Sequence, residues 1–348
     1  MTKFNFTNTE LVKLITHKVG NKYREEPVLV SNELTEIDEE SGEYLMQYFL
    51  QDFKLPEFYG FTHSVELKMN EVYTLIKQIF ENQDNFISAS RSMAKLLYES
   101  SDHPKIKEGE LNVAFFDNLQ FGDEVTNGIG IFKSENTSPF LKMHEEKENY
   151  KINHDFGFEI KKIDKACIIF NTNSKNGYVV LIIDNLNRSN DAQYWKDDFL
   201  KLAPLNDDYY NTKEFLTITK DFVSKQLPEE FDIDNTDRIQ LLNRSIDYFK
   251  NNDSFDKEQF EEQVFQEEEL IESFRNYDKT IRTENNLDIM DNFDISNHAV
   301  KKQSRIFKSV LKLDKNFHVY IHGDKNLIEK GVDNNGRKYY KIYYENEA

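Results

Sequence analysis

The chain has 348 residues, of which 38% are hydrophobic and 14% aromatic, a composition that supports a buried core and excludes a wholly disordered protein. Its net charge of −19 argues against indiscriminate binding to nucleic acid, because phosphate repels an acidic surface. The sequence shows no long apolar run, no signal peptide and only one cysteine, and it therefore predicts a cytoplasmic protein without membrane spans or disulfides.

The first hundred residues predict a β-hairpin followed by helices. Residues 10–37 alternate like two strands on either side of a polar break that contains Gly20. Asn70 is a suitable helix N-cap, because its side chain can accept from a free backbone amide. Apolar residues at helical spacing then predict three helices, over 40–53, 70–82 and 85–99.

Residues 110–185 predict a mixed sheet. The strand-like runs are Leu111–Phe116, Ile129–Lys133, Phe158–Lys161, Ala166–Phe170 and Tyr178–Ile183. The run Val179–Ile183 is apolar on both faces, which is typical of a central strand. With the preceding helices, these strands predict an N-terminal α+β domain over residues 1–190.

The second predicted domain, residues 191–348, begins with an acidic helical region. Its predicted helices cover 191–200, 211–226, 236–251, 256–265 and 267–283. Residues 226–295 contain 20 acidic and 7 basic side chains, a net charge of −13. Such a charge run usually marks solvated helix faces.

The C-terminal residues 299–348 reverse this charge, with 11 Lys and Arg against 6 acidic residues. The segments Ile306–Leu313, Phe317–His322 and Lys338–Tyr344 alternate like strands, and a turn over Asp333–Gly336 precedes the last of them. If these strands pair into an antiparallel sheet, one face is apolar and the other is basic and aromatic. The whole chain is therefore expected to be α+β.

Two segments carry a family resemblance: Phe86–Leu97, with Ser90 and Arg91 in its middle, and the closing Leu313–Phe317. In these segments and in their order, the sequence resembles the bacterial nucleoid-associated proteins of the NdpA/YejK type over nearly its whole length. The resemblance implies a cytoplasmic, nucleoid-localised, DNA-associated homodimer that contacts type II topoisomerase machinery. It implies no catalytic residue, and the acidity fits equally well a role with one partner complex, such as phage defence.

The basic C-terminal face is the main candidate site for double-stranded DNA. Lys and Arg release counterions from phosphates, and aromatic rings stack on bases. The candidate residues are Lys301, Lys302, Arg305, Lys308, Lys312, Lys315, Tyr320, Arg337, Lys338 and Lys341. Arg91 and Lys95, four residues apart on a predicted helix, form a second candidate contact. Two alternatives stay open: the patch docks on acidic helices of this or a second subunit, or it only keeps exposed strands soluble.

Enzymatic and metal-dependent functions have little support in the sequence. It contains no metal-binding His or Cys motif and no phosphate-binding loop, so no cofactor is expected. Glu159 and Lys161, on a predicted strand, match part of a magnesium nuclease pattern. We therefore predict a non-enzymatic DNA-associated protein. The alternatives are an acidic interaction factor that binds a basic partner or mimics DNA, and, in third place, a nuclease.

Overall fold

The structure, a computed structural model, describes residues 4–54, 57–147, 149–186, 193–305, 307, 310–313, 317–320 and 327–344. Contacts divide the chain into two compact units, residues 1–205 and residues 206–348, and each unit is described by itself. Helices and antiparallel strands occur in both, so the predicted α+β class is confirmed. No helix among the described residues is both long and apolar enough to span a membrane.

The first unit is a large sheet with helices on both faces. Its strands are β1 Phe4–Asn5, β2 Glu10–Val19, β3 Val28–Leu29, β4 Tyr59–Phe61, β5 Gly109–Phe121, β6 Glu124–Ser134, β7 Ser138–Glu146, β8 Asn149–Gly157, β9 Lys165–Phe170, β10 Val179–Asp184 and β11 Leu202–Pro204. Its helices are α1 Glu39–Leu50, α2 Glu71–Glu81 and α3 Phe86–Ser100. The main sheet has the order β11-β4-β10-β9-β6-β5-β2-β3, with β1 beside β5.

Every described pairing in this sheet is antiparallel, where the sequence suggests a mixed sheet. Along β5, Val113 and Phe115 pack with α2 and α3, whereas Phe116 packs with α1 on the opposite face. Strand β10 lies between β4 and β9, as its two apolar faces predict. The three predicted helices are confirmed, and the Tyr73 amide donates to the Asn70 side chain at 3.0 Å.

Two local predictions are wrong in this unit. The segment Phe158–Lys161 is not a strand but a turn, in which the Lys162 amide donates to the Glu159 carbonyl at 3.0 Å. The regular helix predicted over 191–200 is, within the described residues 193–200, a 3-10 turn followed by a π-helical turn. The hairpin formed by β7 and β8 was not predicted from the sequence.

The second unit is mainly helical. Its helices are α4 Asp208–Asp221, α5 Leu227–Glu230, α6 Asn235–Asn251, α7 Lys257–Val264, α8 Glu268–Glu284 and α9 Asn297–Gln303. Its strands are β12 Ser254–Asp256, β13 Asn292–Asp294, β14 Val310–Leu313, β15 Phe317–Tyr320, β16 Ile328–Val332 and β17 Lys338–Ile342. A π-helical turn, Phe222–Gln226, joins α4 to α5, and the helices predicted between 211 and 283 are confirmed.

Phenylalanine rings fill the core of the second unit. The ring of Phe215 lies 4.4 Å from that of Phe255, 5.1 Å from that of Phe260 and 5.8 Å from that of Phe274, measured between centroids. All four side chains are almost completely buried. Aromatic pairs at these distances add to the free energy gained by burying their area. This core holds the acidic helices together although their exposed faces repel one another.

The stacked rings of Phe49 and Phe132 join α1 to the sheet of the first unit, with centroids 4.0 Å apart. We expect Phe132→Ala to lower the free energy of unfolding by about 3–5 kcal/mol, because it leaves a cavity in a dry layer. Val125, which is 68% exposed on the same strand, supplies the control. Val125→Ala should change stability by about 0.5 kcal/mol or less in urea unfolding, and equal effects of the two substitutions would contradict this packing.

Candidate nucleic-acid interface

The basic C-terminal segment forms two separate hairpins in the described residues. Strand β14 pairs with β15, and Leu313 lies opposite Phe317. Strand β17 pairs with β16, a strand that the sequence analysis missed, and Lys341 lies opposite Glu329. The predicted pairing of three strands into one sheet is therefore replaced by two two-stranded sheets.

Both hairpins pack on Ile239 of α6. The first hairpin contributes Leu313 and Val319, and the second contributes Ile328 and Tyr340. Ile239 itself is only 7% exposed. Side chains on successive strand positions point to opposite faces, so this contact determines which face of β16–β17 is turned away from α6.

The outer face of β16–β17 combines aromatic and basic side chains. Tyr339 and Lys341 alternate with the inward Tyr340, and Tyr339 is paired with Gly331. A Cβ atom on Gly331 would lie 2.4 Å from the Tyr339 ring, so only glycine lets this ring lie across the neighbouring strand. The Lys341 ammonium lies 4.8 Å from the centroid of the Tyr343 ring. The alternation that the sequence predicts for Arg337–Tyr343 is thus present on one exposed face.

This outer face also contains one carboxylate, Glu329. The Tyr343 hydroxyl donates to Glu329 Oε2 at 2.6 Å, and Lys341 Nζ lies 3.4 Å from the same oxygen. The Tyr343 hydrogen bond and the Lys341 charge lower the pKa of Glu329. Lys341 is therefore partly neutralised, and two other cations, Arg337 and Lys338, lie at the tip beside the carboxylate of Asp333.

The tip of the hairpin is a tight turn closed by Asp333. Its carboxylate oxygen Oδ1 accepts from the amides of Asn335 and Arg337, each at 2.8 Å. Gly336 has a φ of +79°, a conformation that glycine adopts without strain. The turn that the sequence predicts over Asp333–Gly336 is confirmed, and it holds Arg337 and Lys338 in exposed positions.

A second group of cations lies at the C-terminal end of the last helix. Lys301 and Lys302 lie in the final turn of α9, where positive charge is favoured by the helix dipole, and Arg305 follows it. All three side chains are exposed. Lys302 Nζ lies 3.2 Å from the Tyr209 hydroxyl and 5.8 Å from the centroid of its ring, so Tyr209 holds it in place.

Four of the candidate residues are described incompletely or not at all. Lys308 and Lys315 lie outside the described residues. For Lys312 and Tyr320 the structure gives the backbone pairing alone, with His318 and Val310 respectively.

Arg91 and Lys95 lie on α3 of the first unit. Arg91 is half-buried near His17, whose pKa is lowered to about 4 by burial and secondarily by the Arg91 charge. The Ser31 amide donates to His17 Nδ1 at 3.0 Å, and His17 Nε2 lies 3.2 Å from Ser90 Oγ, which fits a neutral imidazole. Lys95 is exposed beside a groove of about 1110 Å³ between α2 and α3. Arg91 is thus only partly accessible, and its Nε atom is buried without a hydrogen-bond partner among the described residues.

The nuclease pattern does not assemble in the structure. Glu159 lies in a turn and accepts from the Ser138 hydroxyl at 2.9 Å. Asp155, the nearest acid in sequence, pairs with Lys142 at 2.8 Å. Within the part of the chain that the structure describes, no group of three or more His, Cys, Asp or Glu side chains could hold a metal ion.

A buried cluster of charged groups, which was not predicted from the sequence, lies at one end of the sheet. Lys133 Nζ lies 3.1 Å from Glu135 Oε1, and Lys165 Nζ lies 2.6 Å from Asp184 Oδ1. The Tyr194 hydroxyl donates to Glu135 at 2.8 Å, and both ammonium groups lie near its ring. Burial lowers the pKa of Lys133, although Glu135 opposes the shift. The signal in the sequence was a lysine next to each of two apolar runs: Lys133 after Ile129–Phe132, and Lys165 before Ala166–Phe170.

The placement of Arg91 predicts a response of His17. We expect Arg91→Gln to raise the pKa of His17 above its value of about 4, because a nearby positive charge no longer opposes protonation. Lys95→Gln should leave the pKa of His17 unchanged, and NMR titration measures both variants.

Because the pKa of His17 is depressed in the folded state, the stability of the wild-type protein should fall as the pH drops from about 6.5 towards 4. His17→Gln should remove that part of the pH dependence, and an unchanged profile would contradict the buried neutral imidazole.

Comparison with protein families finds that residues 15–337 match a family described as nucleoid-associated protein YejK. The match covers α3 and both hairpins up to Arg337, and the side chains of Lys338 and Lys341 lie beyond it. A search of the curated proteins found no match.

Proposed function

The chain belongs to the family of nucleoid-associated protein YejK, and we propose that it is a non-enzymatic homodimer that binds double-stranded DNA in the bacterial nucleoid. The proposed contacts are the tip and outer face of β16–β17 and the basic end of α9. Lys308, Lys312 and Lys315, which lie between these two elements in the sequence, complete the proposed surface. Arg91 and Lys95 are proposed as a secondary contact. No catalytic residue or cofactor is part of this function.

The observation that carries the proposal is the orientation of the β16–β17 hairpin. Its inner face is fixed on Ile239 through Ile328 and Tyr340, so Arg337 and the Tyr339 ring remain available to solvent. Cations of this kind displace counterions from phosphates, and exposed tyrosine rings can contact sugars and bases. The hairpin is therefore suited to following a phosphate backbone.

The net charge of −19 restricts this binding but does not forbid it. Charges are screened over about 8 Å at physiological salt, so a phosphate at the hairpin tip responds mainly to the nearest cations. The acidic helices should instead weaken any contact made elsewhere on the surface. The expected result is binding through one defined surface with a strong dependence on salt.

Charge reversal at the hairpin tip tests the proposal. If about six phosphates are contacted, wild-type affinity for a labelled duplex should fall roughly a thousandfold between 50 and 200 mM salt. Arg337→Glu combined with Lys338→Glu should weaken binding and reduce the slope of log affinity against log salt by about two. Fluorescence anisotropy measures both quantities.

The matched control is Lys250→Glu combined with Lys279→Glu, which makes the same change in net charge at exposed positions of α6 and α8. The control should bind nearly as wild type does. If the control and the tip variant lose affinity equally, binding depends on net charge alone and the proposed surface is wrong. Undiminished binding by the tip variant would also exclude it.

A second candidate function is favoured by an acidic groove between α5 and α8. The groove has a volume of about 690 Å³, and its lining includes Glu230, Glu269, Glu272 and Glu284 but no lysine or arginine. Such a groove could bind a basic partner protein or mimic DNA, and type II topoisomerase or a phage-defence complex are partners of this kind. In this case the chain would not contact DNA directly.

Reversing two of these acids separates the candidates. Glu269→Lys combined with Glu272→Lys should abolish recovery of a basic partner in a pull-down from nuclease-treated lysate. Glu258→Lys combined with Glu262→Lys changes exposed acids on α7 and should not. If nuclease treatment alone removes every partner, the acidic groove is not a protein-binding site.

A further inference from the structure

The hairpin of β7 and β8, which we call the arm (residues 138–157), pairs with no other strand among the described residues. Nine cross-strand pairs, from Ser138–Gly157 to Glu146–Asn149, hold its two strands together. An isolated two-stranded hairpin is marginally stable in water, because neither face is covered. A hairpin of this length is therefore expected to pack against a partner surface.

The two faces of the arm differ in chemistry. The register places five large apolar side chains on one face, Leu141, Met143, Tyr150, Ile152 and Phe156, together with Pro139, His154 and, near the tip, Glu145. Each of these five is between 59% and 72% exposed. On the other face Lys142, His144, Lys151, Asn153 and Asp155 are polar, and Phe140 is the exception. Alternation this regular over both strands indicates one face that is buried in the functional state.

The base of the arm is fixed to the sheet, so its direction is set by the fold. The Asp164 carboxylate accepts from the amides of Glu135 and Asn136, at 2.7 Å and 2.9 Å, where β6 leads into the arm. At the return, the Phe158 ring stacks on Tyr48 with centroids 6.3 Å apart. Asp164 is almost completely buried. A rigid base is suited to presenting the apolar face to a partner.

Charge decides which class of partner the arm fits. Residues 138–157 contain three lysines and four acidic residues, so a nucleic acid or an anionic membrane would gain no net attraction. At the tip Glu145 and Glu146 lie beside Lys147, and Lys151 Nζ lies 3.9 Å from Glu146 Oε1, whereas the exposed Lys161 and Lys162 follow Glu159 after the base. Two arms stacked in opposite directions would bring Glu145 and Glu146 of each copy near Lys161 and Lys162 of the other.

We propose that the apolar face of the arm is a homodimer interface, in which two copies of this chain stack their arms face to face and antiparallel about a two-fold axis. The proposal specifies the homodimer of the proposed function, and it does not depend on DNA contact. Strands of nine residues span about 30 Å, and five large side chains per copy would bury on the order of 1,000 Å² in total. That area is at the lower end for a stable interface, and the tip-to-base charge pairs add to it.

Oligomeric state tests the interface directly. Wild-type protein should be a dimer in sedimentation equilibrium, and Leu141→Lys combined with Ile152→Lys should weaken the dimer at least about a hundredfold, because four lysines would meet in an apolar contact. The matched control, His144→Lys combined with Asn153→Lys, adds the same residues to the polar face and should remain dimeric. Circular dichroism establishes that both variants fold. A monomeric wild type, or equal effects of the two variants, would overturn the proposal.

Cross-linking provides a test that does not disrupt packing. The native thiol of Cys167 is fully buried, and burial raises its pKa, so it should not react. Ile152→Cys should be cross-linked between two copies by a short bismaleimide, whereas Lys151→Cys, on the opposite face, should not. Cross-linking of both or of neither would contradict face-to-face stacking.

Charge exchange tests the antiparallel order. Glu145→Lys combined with Glu146→Lys should weaken the dimer, and adding Lys161→Glu and Lys162→Glu in the same chain should restore it. Failure of this rescue would overturn the antiparallel arrangement. Arg337→Glu combined with Lys338→Glu should remain dimeric, so loss of DNA binding and loss of the arm interface are separate outcomes.

Discussion

The small apolar contact around Ile239 determines how the basic end of the chain is presented. Two short hairpins have little core of their own, and each turns apolar side chains towards this one residue of α6. Because strand faces alternate, fixing Tyr340 inward leaves Tyr339 and Lys341 outward. An apolar contact therefore sets the orientation of the cations in a chain of net charge −19. The carboxylate of Glu329, on that same face, partly neutralises Lys341.

Features governed by local periodicity could be predicted from the sequence. The helices α1 to α3, the Asn70 cap and the turn closed by Asp333 follow from residues close together in the chain. The apolar run in β10 likewise indicated a central strand. The order of segments was sufficient to suggest the family, which matches residues 15–337.

Features that depend on distant partners could not be predicted. The strand β16 was missed because Gly331 interrupts a short alternation, and its role appears only beneath the Tyr339 ring. Lys133 and Lys165 were not predicted to be buried, because their burial depends on Tyr194 and, for Lys165, on Asp184 of the neighbouring strand β10. The arm alternates regularly over β7 and β8, but its many charged residues obscured the apolar face that the register reveals. Likewise, the ion pair between Glu329 and Lys341 could not be predicted, because the strand that carries Glu329 was not predicted.

The central claim is that DNA meets the outward face of the β16–β17 hairpin. Hydrogen–deuterium exchange of the wild-type protein with and without a saturating DNA duplex measures this most directly, because it follows every backbone segment at once. The account predicts slower exchange in peptides that cover residues 328–343, with little change in α6 to α8. Protection confined to those acidic helices, or no protection under conditions where the duplex is bound, would contradict it.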